Sequence, residues 1–231
     1  GGAIPQAPRP ARQRRRPHAV SAGRRGGRTL PRTFYDRSTL AVARDLVGKL
    51  LVRRSDDGVA AGMIVETEAY IGETDPACHA AAGPTQRNQP LYGDPGRAYV
   101  YFSYGMHCLF NAVTERRGYP AAVLVRALEP LDGEQVMRRR RVRPQAPVHD
   151  LCRGPGNLAR ALGITLADNR TDLTQVPARG AGLWIEDRGL DIGAVEWAPR
   201  IGIRVGADRA WRCFVRGSGA VSGRQAVVSS K

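Results

Sequence analysis

Residues 50–70 read LLVRRSDDGVAAGMIVETEAY, and the fold is decided by this stretch. Leu50–Arg54 and Val59–Tyr70 have the composition of β-strands, and the SDDG between them has the composition of a hairpin turn. The sequence therefore predicts a two-stranded antiparallel unit, from which the rest of the domain can be placed.

Further segments around this hairpin have strand or helix character. Three helices are predicted, over Ser38–Val47, Asp132–Arg141 and Gly154–Gly163, with Ser38 as a cap and with Gly48 and Gly163 as stops. Strands are expected at Tyr99–Tyr104, His107–Val113, Ala122–Leu128, Gly182–Glu186, Arg200–Val205 and Arg212–Val215. Because strands cluster with few helices between them, we expect an α+β domain on a curved, largely antiparallel sheet and not a doubly wound fold.

The charge of the chain is unusually positive. The 231 residues carry a formal charge of +15, which favours a polyanionic partner, either nucleic acid or an acidic membrane surface. Only Lys49 and Lys231 are lysines, so the charge is almost entirely arginine, a residue suited to bidentate phosphate contacts. Biased codon usage would produce the same excess of arginine.

The first thirty residues differ in composition from the rest. They contain eight arginines, several Pro and Gly, and no acidic residue, which predicts a disordered basic arm over residues 1–30 and one folded domain over residues 31–231. An organellar transit peptide is the alternative interpretation, because such peptides are also rich in Arg and poor in acids.

Cysteine spacing and hydropathy restrict the location of the protein. The four cysteines form no C-x-x-C pair, so we expect buried thiols in a reducing compartment, and neither a zinc ribbon nor a disulfide framework. No apolar run is long enough to span a bilayer, and no secretion signal is visible at the N-terminus. The sequence therefore predicts a cytoplasmic protein that uses no metal.

Two carboxylates share a strand with an aromatic residue. Alternation along Ile64–Tyr70 places Ile64, Glu66, Glu68 and Tyr70 on one side, with about 7 Å between successive members. Such a face suits acid–base chemistry beside a stacking surface, although strands that expose acids to solvent are common. Nearby, Tyr99, Tyr101 and Tyr104 fall within six residues. Tyrosine stacks on nucleic-acid bases, but a half-buried Tyr face is the more ordinary explanation.

Long ordered motifs then identify a resemblance. The chain contains Glu-Thr-Glu-Ala-Tyr (66–70), Tyr-Val-Tyr-x-x-Tyr-Gly-Met (99–106), Val-Arg-Ala-Leu-Glu-Pro (125–130) and Gly-Pro-Gly-x-Leu (154–158). With His79 and the Arg87-Asn88 pair, these motifs make the chain resemble the alkyladenine (3-methyladenine) DNA glycosylases from about Phe34 to Ser222. The resemblance implies a base-excision-repair hydrolase that flips alkylated or deaminated purines, such as 3-methyladenine or hypoxanthine, out of duplex DNA and cleaves their N-glycosidic bond.

The resemblance also implies a role for individual residues. Glu68 matches the acid that activates water, and Arg126 matches an arginine beside that water and the target phosphodiester. Tyr70, His79 and Tyr101 match the residues that sandwich the flipped base, and Asn111 matches one in the pocket floor. Tyr104 matches the wedge that fills the gap left in the duplex.

Some positions depart from the family pattern. Gln86, Asn157 and Gly219 stand where Pro, Lys and Pro are expected, and His107 stands where some relatives carry Tyr. None of these changes removes a catalytic group. They bear on loop conformation, on phosphate contacts near Asn157 and on the choice among purines.

A cofactor-free, monofunctional enzyme follows from the available nucleophiles. A lyase needs an amine to form a Schiff base, and neither Lys49 nor Lys231 lies within the motifs. We therefore expect an abasic site in an intact strand as product, double-stranded DNA as partner, no membrane association and a monomer. Two alternatives remain. The first is a catalytically silent nucleic-acid-binding module. The second, a phosphate-ester hydrolase, is less consistent with the sequence, because no cluster of Asp and His at metal-ligand spacing is present.

Overall fold

A computed structural model describes residues 27–103 and 105–223 of the chain. The described residues form one sheet of nine strands, and every pair in it is antiparallel. The strands are β1 (Arg28–Thr29), β2 (Leu50–Ser55), β3 (Gly58–Ile71), β4 (Ala98–Ser103), β5 (His107–Val113), β6 (Ala121–Asp132), β7 (Gly182–Asp187), β8 (Val195–Ala198) and β9 (Arg212–Val215). This arrangement confirms the α+β class and the antiparallel sheet.

Four α-helices accompany the sheet in the described part of the chain. They are α1 (Arg32–Tyr35), α2 (Thr39–Leu46), α3 (Glu134–Arg141) and α4 (Pro155–Leu162). Short 3₁₀ turns lie at His79–Ala82, Gln89–Tyr92, Val148–Asp150 and Leu166–Asp168. The predicted caps are confirmed in position, since Ser38 precedes α2 and Gly163 follows α4 in a left-handed conformation that glycine adopts without steric cost.

The long strand β3 is the centre of the sheet. The strand order is β1-β7-β2-β3-β6-β5-β4, and β9 also pairs with β3 at Glu66–Glu68 while β8 pairs with β9. Of the pairings of β3, that with β6 runs the furthest, from Ala61 to Ile71. Residues in the second half of β3 are therefore enclosed between β6 and β9.

A bulge in β3 changes which residues share a face. Ile64 pairs with Leu128 and Glu66 with Ala127, so two steps along β3 match one along β6. Beyond the extra residue, each side chain of β3 therefore points to the face opposite to the one that strict alternation predicts. Ile64 consequently packs in the main core with α2, and the prediction that it shares a face with Glu66 and Glu68 is wrong.

The main core lies between the sheet and the helices α2, α3 and α4. Phe110, Leu128 and Leu158 are fully buried there and come from two strands and a helix. Close approach at one junction requires glycine: a Cβ on Gly133, between β6 and α3, would lie 2.0 Å from the carbonyl oxygen of Val59. The chain thus turns into α3 directly against β3.

Three local expectations differ from the structure. Arg200–Val205 is not a strand but an irregular loop, and the strand predicted at Ala122–Leu128 extends over Ala121–Asp132. The two-residue strand β1 lies within the predicted arm, where Arg28 pairs with Asp187, so the folded part begins before residue 31. The remaining arm, residues 1–26, and Tyr104 lie outside the described residues.

Candidate active site

One large cleft opens beside the second half of β3. Its volume is about 630 Å³, within the usual range for a ligand site. The walls come from the ends of β3, β4, β5 and β6, the start of α4 and the loop after β8. The lining includes Tyr70, His79, Tyr99, Tyr101, Asn111, Arg126, Gly154, Asn157 and Ile201.

Glu68 lies immediately behind the wall of this cleft. Its side chain is fully buried and accepts three hydrogen bonds. The Ile201 backbone N–H donates to Oε1 at 2.7 Å, while the Tyr70 hydroxyl and Arg126 donate to Oε2 at 2.9 and 3.1 Å. Because Tyr70, Arg126 and Ile201 all line the cleft, the carboxylate lies directly behind side chains that face the cleft.

Glu66 is equally buried but has different partners. Arg212 donates to its Oε1 at 2.9 Å, and the Ser222 backbone N–H donates to Oε2 at 2.8 Å. Arg126 lies between the two acids, with Nε 3.4 Å from Glu66 Oε1. Glu66 is therefore a buried counter-ion of both Arg212 and Arg126. A solvent-exposed acidic edge, the ordinary alternative for this strand, is wrong for both Glu66 and Glu68.

Burial dominates the electrostatics of Glu68. Removal from water raises the pKa of its carboxyl group, and neighbouring Glu66 adds to that rise. Arg126, the Ile201 N–H and the Tyr70 hydroxyl oppose the rise without cancelling it. Glu68 thus has a higher proton affinity than an ordinary glutamate.

Aromatic side chains form another part of the cleft. The rings of His79 and Tyr101 meet edge to face with centroids 4.4 Å apart, and His79 Nδ1 lies 2.8 Å from the Tyr99 hydroxyl. Burial lowers the pKa of His79, and the charge of Arg87 lowers it further, so the imidazole is neutral at pH 7. Because the two rings are inclined at 71°, each offers its own weakly polar face or edge to a planar ligand.

Asn111 is fixed in the lining of the cleft. It is 4% exposed and donates from Nδ2 to the Tyr99 carbonyl oxygen at 3.0 Å across the β4–β5 pair. With its amide nitrogen so engaged, the side chain keeps a second N–H and an amide oxygen for a ligand.

One buried ion pair at this site is not predicted by the sequence motifs. The side chains of Asp75 and Arg200 are both 0% exposed, and two hydrogen bonds of 2.6 and 2.8 Å join them. The Arg200 guanidinium also lies 4.7 Å from the centre of the Tyr70 ring and 5.1 Å from that of Trp211. The pair anchors the loop that brings the Ile201 N–H to Glu68. Its partners are 125 residues apart, and no local motif marks them.

The predicted site residues thus converge, except where the structure gives no description. Tyr70, His79, Tyr101, Asn111 and Arg126 line one cleft, and Glu68 touches two of them. Tyr104 lies outside the described residues. Two positions that depart from the family pattern, His107 and Asn157, also line the cleft.

Residues 27–103 and 105–223 contain neither a membrane-spanning helix nor a cluster of metal ligands. No helix there is long and apolar enough to cross a membrane. No group of three or more His, Cys, Asp or Glu side chains in that part of the chain is placed to hold a metal ion.

Comparison with known proteins gives a consistent family match. A family model described as methylpurine-DNA glycosylase matches residues 33–219. A protein of Methanocella arvoryzae, named "Putative 3-methyladenine DNA glycosylase", is 50% identical over 199 residues, which are 84% of this chain and 96% of that protein. Proteins with the same name from Rubrobacter xylanophilus (50% over 173 residues; 75% and 86% of the two chains) and Burkholderia lata (46% over 197; 85% and 92%) are also similar.

Proposed function

This chain belongs to the methylpurine-DNA glycosylase family of DNA-repair hydrolases, and on that premise we propose that it flips alkylated or deaminated purines out of duplex DNA and hydrolyses their N-glycosidic bond with water activated by Glu68. The observation that carries the proposal is the contact of buried Glu68 with both Tyr70 and Arg126 in the wall of an aromatic cleft. A carboxylate in that position serves chemistry at the edge of a stacked planar ligand.

Base flipping is proposed because the cleft suits an extruded base better than a stacked one. Chemistry at C1′ inside a duplex needs the nucleotide to leave the stack, at a cost of a few kcal/mol. In our proposal Tyr70, His79 and Tyr101 replace the lost stacking, and Asn111 contacts the purine edge. We assign to Tyr104, which lies outside the described residues, the filling of the gap in the duplex. Met106, which lies between β4 and β5, is exposed.

The hydrolytic step follows from the bonding of Glu68. An ionised carboxylate has about four acceptor positions, and Ile201, Tyr70 and Arg126 occupy three. We assign the fourth to water. The bond between C1′ and the purine nitrogen breaks and its electron pair leaves with the purine, while the water oxygen bonds to C1′ and its proton passes to Glu68. Arg126 holds the water and the phosphodiester next to it.

The product is proposed to be an abasic site in an unbroken strand. Lys49 donates to Asp187 at 2.6 Å and does not line the cleft, and Lys231 lies outside the described residues. A Schiff-base route therefore has no lysine in the described site. We further propose that the enzyme acts as a monomer on double-stranded DNA in the cytoplasm, in association with the nucleoid.

Release of free base from defined duplexes tests the function. The protein is incubated with duplexes that contain hypoxanthine or 3-methyladenine, and free purine is separated from DNA and quantified. We expect free base and an alkali-labile abasic site without prior strand cleavage. Binding without base release would support the silent DNA-binding module, and strand cleavage without free base would support the phosphate-ester hydrolase.

A further inference from the structure

The segment from α3 to α4 carries a dense positive charge outside the cleft. Residues 138–160 include seven arginines and a single acid, Asp150. Like charges at this density repel one another, and the repulsion is relieved by ion pairs within the fold or by an external polyanion.

Ion pairs within the fold neutralise only part of this charge. Arg138 pairs with Glu134, Arg140 with Asp57, and Arg153 with Asp150. Arg139 has no carboxylate within 4.0 Å in the described part of the chain, but it donates to the Asp57 carbonyl oxygen. Three neighbouring arginines likewise have no carboxylate within that distance among the residues that the structure describes, namely Arg141, Arg143 and Arg160. We call these three the arginine cluster.

Arg141 is held in an unfavourable position within the cluster. It is half-buried, and its Nε atom has no hydrogen-bond partner in the described part of the chain. Burial lowers the pKa of Arg141, and the charges of Arg143 and Arg160 lower it further. Asp150 opposes this effect but is already engaged by Arg153, so the cluster lacks a counter-ion.

The arginine cluster is continuous with the cleft along α4. Asn157 lines the cleft, and Arg160 follows it by three residues, so both lie on one side of the helix and about 4.5 Å apart along its axis. Arg160 then donates from Nε to the Arg140 carbonyl oxygen at 3.2 Å, at the end of α3 where Arg141 and Arg143 follow. A linear polyanion that leaves the cleft beside Asn157 meets these guanidinium groups next.

We propose that Arg141, Arg143 and Arg160 form a second contact with the phosphodiester backbone of the duplex, outside the segment held at the cleft. This inference rests on the proposed function, because the duplex at the cleft is the substrate. The planar guanidinium group suits phosphate oxygens, and contact with the backbone does not depend on sequence. The cluster therefore adds affinity and register without contributing to base chemistry.

The salt dependence of DNA binding tests the proposal. The dissociation constant for a lesion-containing duplex is measured over a salt series for the wild type and for the double variant Arg143→Gln/Arg160→Gln, whose side chains are exposed. Each phosphate contact contributes about 0.9 to the slope of log K against log salt, so we expect the slope to fall by about 1.8. Single-turnover base release at saturating enzyme should keep its wild-type rate.

A matched control separates contact from general charge. Arg44→Gln/Arg216→Gln removes the same charge from arginines that are 60% and 67% exposed and do not line the cleft. We expect this control to keep the wild-type slope. A wild-type slope in the cluster variant, or equal changes in both double variants, would overturn the proposal. Absence of base release from the wild type would instead contradict the proposed function, and the slopes would still report on the cluster.

Discussion

At Glu68, burial and the charge of Glu66 raise the pKa of the carboxyl group, while the charge of Arg126 and two hydrogen bonds lower it, with a net rise. A general base works only when deprotonated, so acidification through that raised pKa removes activity. We therefore expect the rate of base release to fall at a higher pH than the range near 4.3 in which an ordinary glutamate titrates.

This fall in rate is measured as the acidic limb of a pH profile of single-turnover base release at saturating enzyme. The profile of Glu68→Gln should lack it, because glutamine does not titrate. An acidic limb in the wild type at the ordinary glutamate pH would contradict the raised pKa.

The buried pair of Asp75 and Arg200 makes a prediction about stability. Asp75→Asn leaves the Arg200 guanidinium buried without its counter-charge, a change that costs about 3–5 kcal/mol. The surface pair Arg37–Asp45, 38% and 36% exposed, provides the control, since Asp45→Asn should cost no more than about 1 kcal/mol. Urea unfolding with unchanged m-values measures both, and equal losses in the two variants would contradict the assigned role.

The same pair has a defined pH dependence. Burial raises the pKa of Asp75, but the hydrogen bonds and charge of Arg200, together with the hydrogen bonds from the Ile71 and Ala77 N–H groups, lower it by more, so its pKa lies below the usual value. The stabilisation from this group is therefore present above the unfolded pKa of about 3.9 and is lost as pH falls through the folded pKa. Asp75→Asn should lack this acid-dependent part of the unfolding free energy.

Local sequence motifs indicate which residues belong to the site, but they do not indicate how deeply those residues are buried. The motifs predict one site that contains Glu68, Tyr70 and Arg126; the structure brings these side chains into contact, and their roles stay predictions. The burial of Glu66 and Glu68 was not predictable, because it depends on β9 and the loop at Ile201, both far along the chain. The bulge at residue 65 was also invisible, since it is set by pairing with β6.

At the scale of elements, turn chemistry predicts more than strand composition does. The hairpin of β2 and β3 and the limits of α4 follow from nearby Gly, Asp and Pro residues, and the structure confirms them. Ile201 and Ile203 alternate like a strand, yet this segment is a loop. The Ile201 N–H donates to the Glu68 side chain and not to the backbone of a neighbouring strand. Gly202 has a φ of 78°, which is not a strand conformation. The short edge strands β1 and β8 depend on their partners and carry too few residues for a pattern.

The β4–β5 hairpin contains Tyr104, the residue predicted to act as the wedge in the duplex. β4 ends at Ser103, β5 begins at His107, and Met106 between them is 69% exposed, so the tip has little core to fill. Tyr104→Ser should lower base release from a paired lesion and leave the unfolding midpoint unchanged. Fluorescence of a base analogue at the lesion would report flipping. Full activity together with early melting would show that Tyr104 is a core residue.

At the scale of the whole molecule, charge is distributed between the folded part and the N-terminal arm. Residues 1–26 contain seven arginines and no acid. Their deletion, which keeps β1 intact, should weaken DNA binding and reduce its salt slope by about 0.9 for each phosphate that the arm neutralises. The single-turnover rate should survive the deletion. An unchanged slope would exclude DNA binding by the arm and favour the transit-peptide interpretation.

Single-turnover release of hypoxanthine by Glu68→Gln and Glu66→Gln tests the central claim most directly. Both acids are fully buried and both lie within 3.4 Å of Arg126, so the two substitutions disturb the site to a similar degree. General-base assistance is worth about 10²–10⁴ in rate. We predict that release by Glu68→Gln collapses by that factor while binding to the lesion duplex is retained, and that Glu66→Gln loses much less. Near-wild-type release by both variants would contradict the mechanism, and a larger loss at Glu66 would transfer the role of base to that residue.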